Sequence, residues 1–238
     1  VTNPRPGLVV WDVDGTLIPA DLRWMRRAVA RTYGLAESAV VFPTAKVHGY
    51  TDESIVIDTA VASGIDEQAA EAGLIHFSGH LASVMEQGRE ELARDQPAYP
   101  GAKETIRLLH EAGLVQTVLT GNLRPAAEMK LATAGLDKYI DWRIGGFGSD
   151  ARDRFDLPDV IRRRYADVLG HPLDPDTTVV IGDAANDIAC ARHAGFRVIA
   201  VTHRVTREEL AQHDPDAILD HLSAPDVVAT VSRLIGKA

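Results

Sequence analysis

Cysteine is nearly missing from this chain of 238 residues, in which Cys190 stands alone. A single thiol excludes an internal disulfide and a thiolate metal cluster, and it fits a reducing compartment. In the helical run "DIACARHAG" it reads as an ordinary core side chain. Long apolar runs are also lacking. With 45% hydrophobic and 25% charged residues, and every apolar run too short to span a bilayer, the expectation is a soluble globular protein with no membrane role. No charged, then apolar, then small-residue leader opens the sequence, so a cytoplasmic location is expected. Positive charge is scarce as well: 25 Lys and Arg against 34 Asp and Glu give a formal charge of -9. That balance argues against a general nucleic-acid surface and suits a small ligand or a locally bound metal. No repeat, basic stripe or apolar heptad identifies a macromolecular partner, and either a monomer or a homodimer is compatible with the chain.

What the sequence does contain is a regular alternation. Short β-branched runs at 8–11, 114–120, 142–147, 177–182 and 196–201 are bounded by Gly, Asp or Pro and are apolar on both alternating faces, as strands buried between two helical layers are. Helical patterns lie between them at 101–112, 124–134, 158–169 and 187–194, with Pro125 near one start and Gly135 and Gly195 after two ends. The expected class is therefore α/β, a Rossmann-like parallel sheet core built from right-handed crossovers. The run 217–220 and a helix over 225–236 should finish one edge.

Residues 16–96 break this rhythm. They hold no good strand and read as helices over 21–34, 52–62 and 66–93, the last broken near Gly73 or Gly79. A stretch of this length is too long for a crossover, so it is expected to be an inserted all-helical cap, with 1–15 and 97–238 forming the core. Hinges are expected near 16–20 and 95–100, which would place the cap over the carboxyl ends of the strands.

Those strand ends carry the chemistry. The first is followed by Asp12-Val13-Asp14-Gly15-Thr16, the second ends in Thr120-Gly121-Asn122, and "VVIGDAAND" places Asp183 beyond another strand with Asp187 shortly after. One acid beside a glycine could simply make a turn. A second acidic cluster after another strand is not explained in that way. Carboxylates gathered at one sheet edge repel unless a cation is present, and an all-oxygen donor set without a convergent His and Cys group favours Mg2+ over zinc. A divalent ion beside a free carboxylate suggests phosphoryl transfer: Asp12 attacks phosphorus, Asp14 manages protons, and Thr120 with the amides near Gly121 and Asn122 supports the phosphate oxygens. A bland alternative for Thr120 is to cap the following helix, and the two roles could coexist. In "GSDARDRFDLP" both Arg152 and Arg154 could complete the clamp, and Arg154 is favoured because it lies just before a helix start.

Together "DVDGT" at 12–16, "LTGN" at 119–122 and "GDAANDIACARHAG" at 182–195 resemble three motifs of the haloacid dehalogenase-like hydrolases, over essentially the whole chain. The insert resembles the helical cap of the branch containing phosphoglycolate phosphatases and beta-phosphoglucomutases. The resemblance implies that Asp12 is the nucleophile and a Mg2+ ligand, that Asp14 is the acid/base and lends its backbone carbonyl to the metal, that Thr120 binds phosphate, and that Asp183 and Asp187 complete the metal shell. It implies a phosphatase acting on a small phosphorylated metabolite, with a sugar phosphomutase or a noncatalytic phospho-receiver as alternatives. Three departures stand out. Arg154 occupies a place where Lys followed by Pro is usual, Ala184 and Ala185 replace the usual Thr-Pro, and Tyr50 stands where the cap commonly offers a cation. In "HGYTDESI" the residues His48, Tyr50 and Thr51 are candidate substrate contacts, although Thr51 also makes a good helix cap. His203, past the last long strand, is expected to shape a loop.

Overall fold

Six of the apolar runs form strands: β1 (Leu8–Trp11), β2 (Val115–Thr120), β3 (Gly146–Phe147), β4 (Thr178–Gly182), β5 (Arg197–Val201) and β6 (Ala217–Leu219). The computed structural model describes residues 6–43 and 50–236. All neighbouring strands pair in parallel, in the order β3-β2-β1-β4-β5-β6. The chain builds outward from β1 to β3 and then returns to the other side of β1 to lay down β4. The crevice where the strand order reverses therefore opens beyond the carboxyl ends of β1 and β4, the place at which such sheets bind ligands.

Alternate residues of each strand feed opposite layers. Val9, Trp11, Val179, Ile181 and Ile199 face one layer, against α5 (Ala102–Glu111), α6 (Arg124–Ala134) and α10 (Ala224–Leu234). Leu8, Val10, Val180 and Val198 face the other, against α7 (Leu157–Leu169) and α8 (Ala185–His193). Burial of each such side chain contributes roughly 1.5–3 kcal/mol, which is why β1 is apolar on both sides rather than alternating. A buried glutamine among these side chains is satisfied: Trp11 Nε1 donates to Gln116 Oε1 at 3.0 Å, and Gln116 Nε2 donates to the Ile106 carbonyl at 2.7 Å. Cys190 is a buried part of the second layer, and burial pushes its thiol up to about 12. A short helix, α9 (Arg207–Ala211), precedes β6 and is closed at its start by a Thr206–Glu209 capping box.

Between β1 and α5 lie α1 (Arg23–Tyr33), α2 (Asp52–Ala62), α3 (Glu67–Gln87) and α4 (Arg89–Asp95). They form a helical cap with its own apolar cluster, including Trp24, Met25, Ile55, Phe77, Leu81 and Met85. Among the described residues no helix is long and apolar enough to cross a membrane. The segments entering and leaving this helical region are tied to each other: Tyr99 N donates to the Leu17 carbonyl at 2.9 Å, and Gln96 Nε2 to the Pro19 carbonyl at 2.6 Å.

Two local expectations are corrected. The break in the long cap helix falls at Gly88, not at Gly73 or Gly79. An aromatic ring packs against each of two glycines, Tyr33 on Gly73 and Trp24 on Gly88, but the helix runs on through the first and ends at the second, where the backbone leaves the helical region with φ -98° and ψ 20°. The strand expected over 142–147 is reduced to Gly146–Phe147, because the Asp141 carboxylate holds the Arg143 amide at 3.1 Å in a turn.

Candidate active site

Asp12 leaves β1 while its amide is still paired with the Ile181 carbonyl at 2.9 Å, so its carboxylate enters the crevice from a fixed backbone. Thr16 Oγ1 lies 3.3 Å from Asp12 Oδ2 and 3.1 Å from Asp183 Oδ1. Gly15 makes the return possible: its φ is +92°, and a Cβ there would stand 2.5 Å from Asp183 Oδ2. Beyond β4, Asp187 Oδ2 accepts the amides of Asp183 and Ala184 at 3.1 and 3.0 Å, which closes the start of α8. The two alanines at 184 and 185 therefore leave this turn intact, because the cap is supplied by Asp187.

The three acids converge. Asp12, Asp183 and Asp187 each offer an oxygen, all within 4.8 Å of one another, and all three are buried. Burial raises Asp12 well above the ordinary carboxylate range, and neighbouring Asp187 adds to it, against the opposing pull of Arg154. Burial, reinforced by Asp187, likewise raises Asp183 to about 7. Asp183 Oδ2 is buried without a hydrogen-bond partner, and Arg204 Nη1 stands 3.5 Å away in ion-pair range only. An unsatisfied carboxylate oxygen beside two further acids fits a hard divalent cation.

Asp14 lies outside that cluster and is held differently. Lys130 Nζ donates to both of its carboxylate oxygens, at 2.8 and 2.7 Å, and to Asn122 Oδ1 at 2.7 Å. Asn122 Nδ2 reaches Asp14 Oδ2 at 2.6 Å and Thr120 Oγ1 at 2.7 Å. The Thr120 hydroxyl also accepts from the Asn122 amide at 3.2 Å, so it organises this turn and does not cap α6, whose N-cap position is Leu123. Asn122 is thereby as central to Asp14 as the lysine is. Lys130 went unnoticed in the sequence, although a signal was present: it shares the buried face of α6 with Ala126 and Ala127, an unusual place for a lone lysine.

The two arginines separate. Arg154 is buried, and its Nη2 donates to Asp12 Oδ1 at 3.0 Å and also pairs with Asp187. Burial alone would lower its pKa, but the carboxylates of Asp187 and Asp12 raise it further. Its Nε is buried with no hydrogen-bond partner. Arg152 instead points outward and pairs with Glu71 of α3 at 2.9 Å.

From the cap side, Tyr50 and Asp52 reach the same crevice. The Asp52 amide donates to the Gly121 carbonyl at 2.7 Å, and Asp52 Oδ2 accepts the Leu123 amide at 2.8 Å. Burial raises Asp52 to about 6, with Lys130 opposing. A Cβ on Gly121 would overlap the Tyr50 carbonyl, so glycine is what permits this approach of cap to sheet edge. Thr51 occupies the N-cap position of α2, but its hydroxyl donates to the Arg152 carbonyl at 2.7 Å and makes no side-chain cap. His48 lies outside the described residues. His203 Nδ1 meets the Gly15 carbonyl at 3.1 Å and its ring packs on Tyr99 with centroids 4.0 Å apart, a loop-shaping arrangement, and burial lowers its pKa. These groups enclose a cavity of about 90 Å³ that contains Asp12, Asp14, Thr120, Lys130 and Arg154 on the sheet side and Tyr50 and Asp52 on the cap side.

The chain is similar to known proteins. The profile of the family described as haloacid dehalogenase-like hydrolase matches residues 9–192. Phosphoglycolate phosphatase 1 of Pseudomonas aeruginosa is 25% identical over an alignment covering 91% of this chain and 77% of that protein. The phosphoglycolate phosphatase of Neisseria meningitidis is 27% identical, covering 90% of this chain and 89% of that protein. In fold, the chain resembles CbbY of Rhodobacter sphaeroides, solved in complex with phosphate, with a TM-score of 0.65 at 20% identity over 92% of this chain and 96% of that one.

Proposed function

Because the chain belongs to the haloacid dehalogenase-like hydrolase family, we propose that it is a Mg2+-dependent phosphatase that hydrolyses a small phosphomonoester through an aspartyl-phosphate on Asp12. The observation that carries this reading is the contrast between two acids only two residues apart. Asp12 sits in the buried cluster with Asp183, Asp187 and Arg154, and Asp14 is held outside it by Lys130 and Asn122.

The chemistry follows from these placements. An Asp12 carboxylate oxygen attacks phosphorus as the bond to the ester oxygen breaks, and the protonated Asp14 carboxyl gives its proton to the departing alcohol. Asp14 then accepts a proton from water as that water attacks the same phosphorus, which frees Asp12 and inorganic phosphate. Arg154, with an unpartnered Nε, and the Thr120 hydroxyl supply donors for the phosphoryl oxygens. The Asp12 and Asp183 carboxylates, the Asp14 backbone carbonyl and Asp187, directly or through water, would hold Mg2+, which when bound offsets the repulsion between nucleophile and phosphate. Residues 16–96 would act as the cap, turning on the paired segments around Leu17–Pro19 and Gln96–Tyr99.

A sugar phosphomutase would use the same sheet-side acids and would need polar partners for sugar hydroxyls on the cap side, where Asp21, Tyr50 and Asp52 line the cavity beside Trp24, Met25, Leu81 and Met85; isomer interconversion without net phosphate release would favour it. The test is phosphate release with and without Mg2+, together with Asp12→Asn and Asp14→Asn. We expect no turnover from Asp12→Asn and a trapped phosphoryl group in Asp14→Asn treated with acetyl phosphate. Undiminished turnover in Asp14→Asn would remove the proposed acid/base step.

A further inference from the structure

Asn122 and Lys130, the two side chains that hold Asp14, come from one short segment. Asn122 Nδ2 reaches Asp14 Oδ2 from the turn after β2, and Lys130 Nζ reaches both Asp14 oxygens from α6, the helix that this turn opens. Whatever fixes the turn therefore fixes both donors. The start of α6 does not do so by itself, because the residue at its N-cap position, Leu123, has no side chain that can accept a hydrogen bond from the helix amides.

Support comes from outside the segment. On one side the Gly148 amide donates to the Asn122 carbonyl at 2.9 Å. On the other, Asp52, the first residue of α2, grips the turn twice: its amide donates to the Gly121 carbonyl at 2.7 Å, and its Oδ2 accepts the Leu123 amide at 2.8 Å. These bonds fall on the residues immediately before and after Asn122. Asp52, Asn122 and Leu123 are all buried, so water competes little for them. The start of α2 is itself pinned, because the Thr51 hydroxyl donates to the Arg152 carbonyl at 2.7 Å. Backbone meets backbone on both sides of the turn: a Cβ on Gly121 would stand 1.8 Å from the Tyr50 carbonyl oxygen, and one on Gly148 would stand 1.9 Å from that of Gly121.

We propose that Asp52 is a positioning residue for the acid/base step: by bonding the turn on both sides of Asn122 it sets Asn122 and, through the start of α6, Lys130, and so fixes where the Asp14 carboxyl stands relative to the departing oxygen. The inference rests on the phosphatase reading above. Removing the Asp52 carboxylate leaves the Leu123 amide buried without that acceptor, while the backbone bond from Gly148 survives, so the turn shifts rather than unfolds. A misplacement of about 1 Å can cost about 100-fold in rate, and the cost falls on the step that needs the Asp14 proton. An alcohol leaves with that proton. The acetate of acetyl phosphate departs as a stable carboxylate and does not need it.

Leaving groups test this, because kcat/KM covers the steps through departure of the leaving group. It is measured with Mg2+ on acetyl phosphate and on alcohol esters: propyl phosphate, glycerol 3-phosphate, 2-phosphoglycolate and glucose 6-phosphate. Asp52→Ala is expected to lower kcat/KM by about tenfold or more on the alcohol ester that the parent uses best, and by less than about threefold on acetyl phosphate. Asp52→Ser, whose oxygen stands one bond short of the Leu123 amide, is expected to show the same split and takes the place of the alanine variant if that one does not fold. Asp52→Asn keeps an acceptor for the amide and should stay within about threefold of the parent on both kinds of substrate. Equal losses on the two kinds, no loss on either, or an asparagine variant as impaired as the alanine one overturns the inference and leaves the phosphatase reading standing. If the parent releases phosphate from none of the alcohol esters, the phosphatase reading falls, and this inference with it.

Discussion

Replacing Lys130 by methionine keeps most of the side-chain volume and removes the ammonium that holds Asp14. In the native protein Lys130 Nζ makes three contacts of 2.7–2.8 Å, two to Asp14 and one to Asn122 Oδ1. Breaking a fully buried pair costs about 3–5 kcal/mol, whereas an exposed pair is worth about 0–1. The lysine side chain is 8% exposed and that of Asp14 24%, so the pair lies between these limits, and a loss of about 2 kcal/mol is expected. For a chain of this size that lowers Tm by about 4–8 °C. Urea and thermal unfolding of Lys130→Met, Asp14→Asn and the double variant form a cycle. The double variant should recover at least about 1 kcal/mol of the summed single losses, because it no longer leaves a carboxylate without its cation. Strict additivity, or a Lys130→Met protein within about 0.5 kcal/mol of the parent, would refute the claim that this lysine and acid act as a unit.

The two arginines should differ sharply. Arg154→Met removes the buried partner of Asp12 and Asp187 and is expected to lower kcat/KM by at least about 100-fold, while Arg152→Ala, which loses only an exposed pair with Glu71, should stay within about threefold and cost less than about 1 kcal/mol; similar losses in steady-state assays would put the phosphate clamp elsewhere. For Asp52 the sign is that of a raised acid: it favours folding below its unfolded value near 3.8 and loses that contribution as pH rises through about 6. Asp52→Asn, whose amide oxygen can still accept the Leu123 amide, should therefore be more stable than the parent at pH 8 by about 1–3 kcal/mol, with the difference closing toward pH 4 in urea melts; a constant offset across that range would contradict the burial effect.

Much of the fold was legible in the sequence because it depends on local patterning. The apolar runs at 8–11, 177–182 and 196–201 had to contain strands with two covered faces, since both alternating sets of residues are apolar, and the helices between them made the sheet parallel. The inserted helices were legible for the same reason, although the break at Gly88 was not, because Gly73, Gly79 and Gly88 look alike in sequence and the helix runs through the first two. At the site, the strand-end acids announced themselves by position. Lys130 did not, since its partner lies 116 residues earlier in the chain.

The sequence by itself determined the sheet, its helical insert and the presence of acids at the ends of β1 and β4, because side-chain periodicity and strand ends are properties of neighbouring residues. Only the tertiary structure decided that Asp12, Asp183 and Asp187 form one cluster while Asp14 belongs to Lys130 and Asn122, and that Arg154 turns inward while Arg152 turns to Glu71. Those choices rest on distances across the crevice between β1, α6, α8 and the cap, where a carboxylate takes whichever donor the packed backbone brings within about 3 Å.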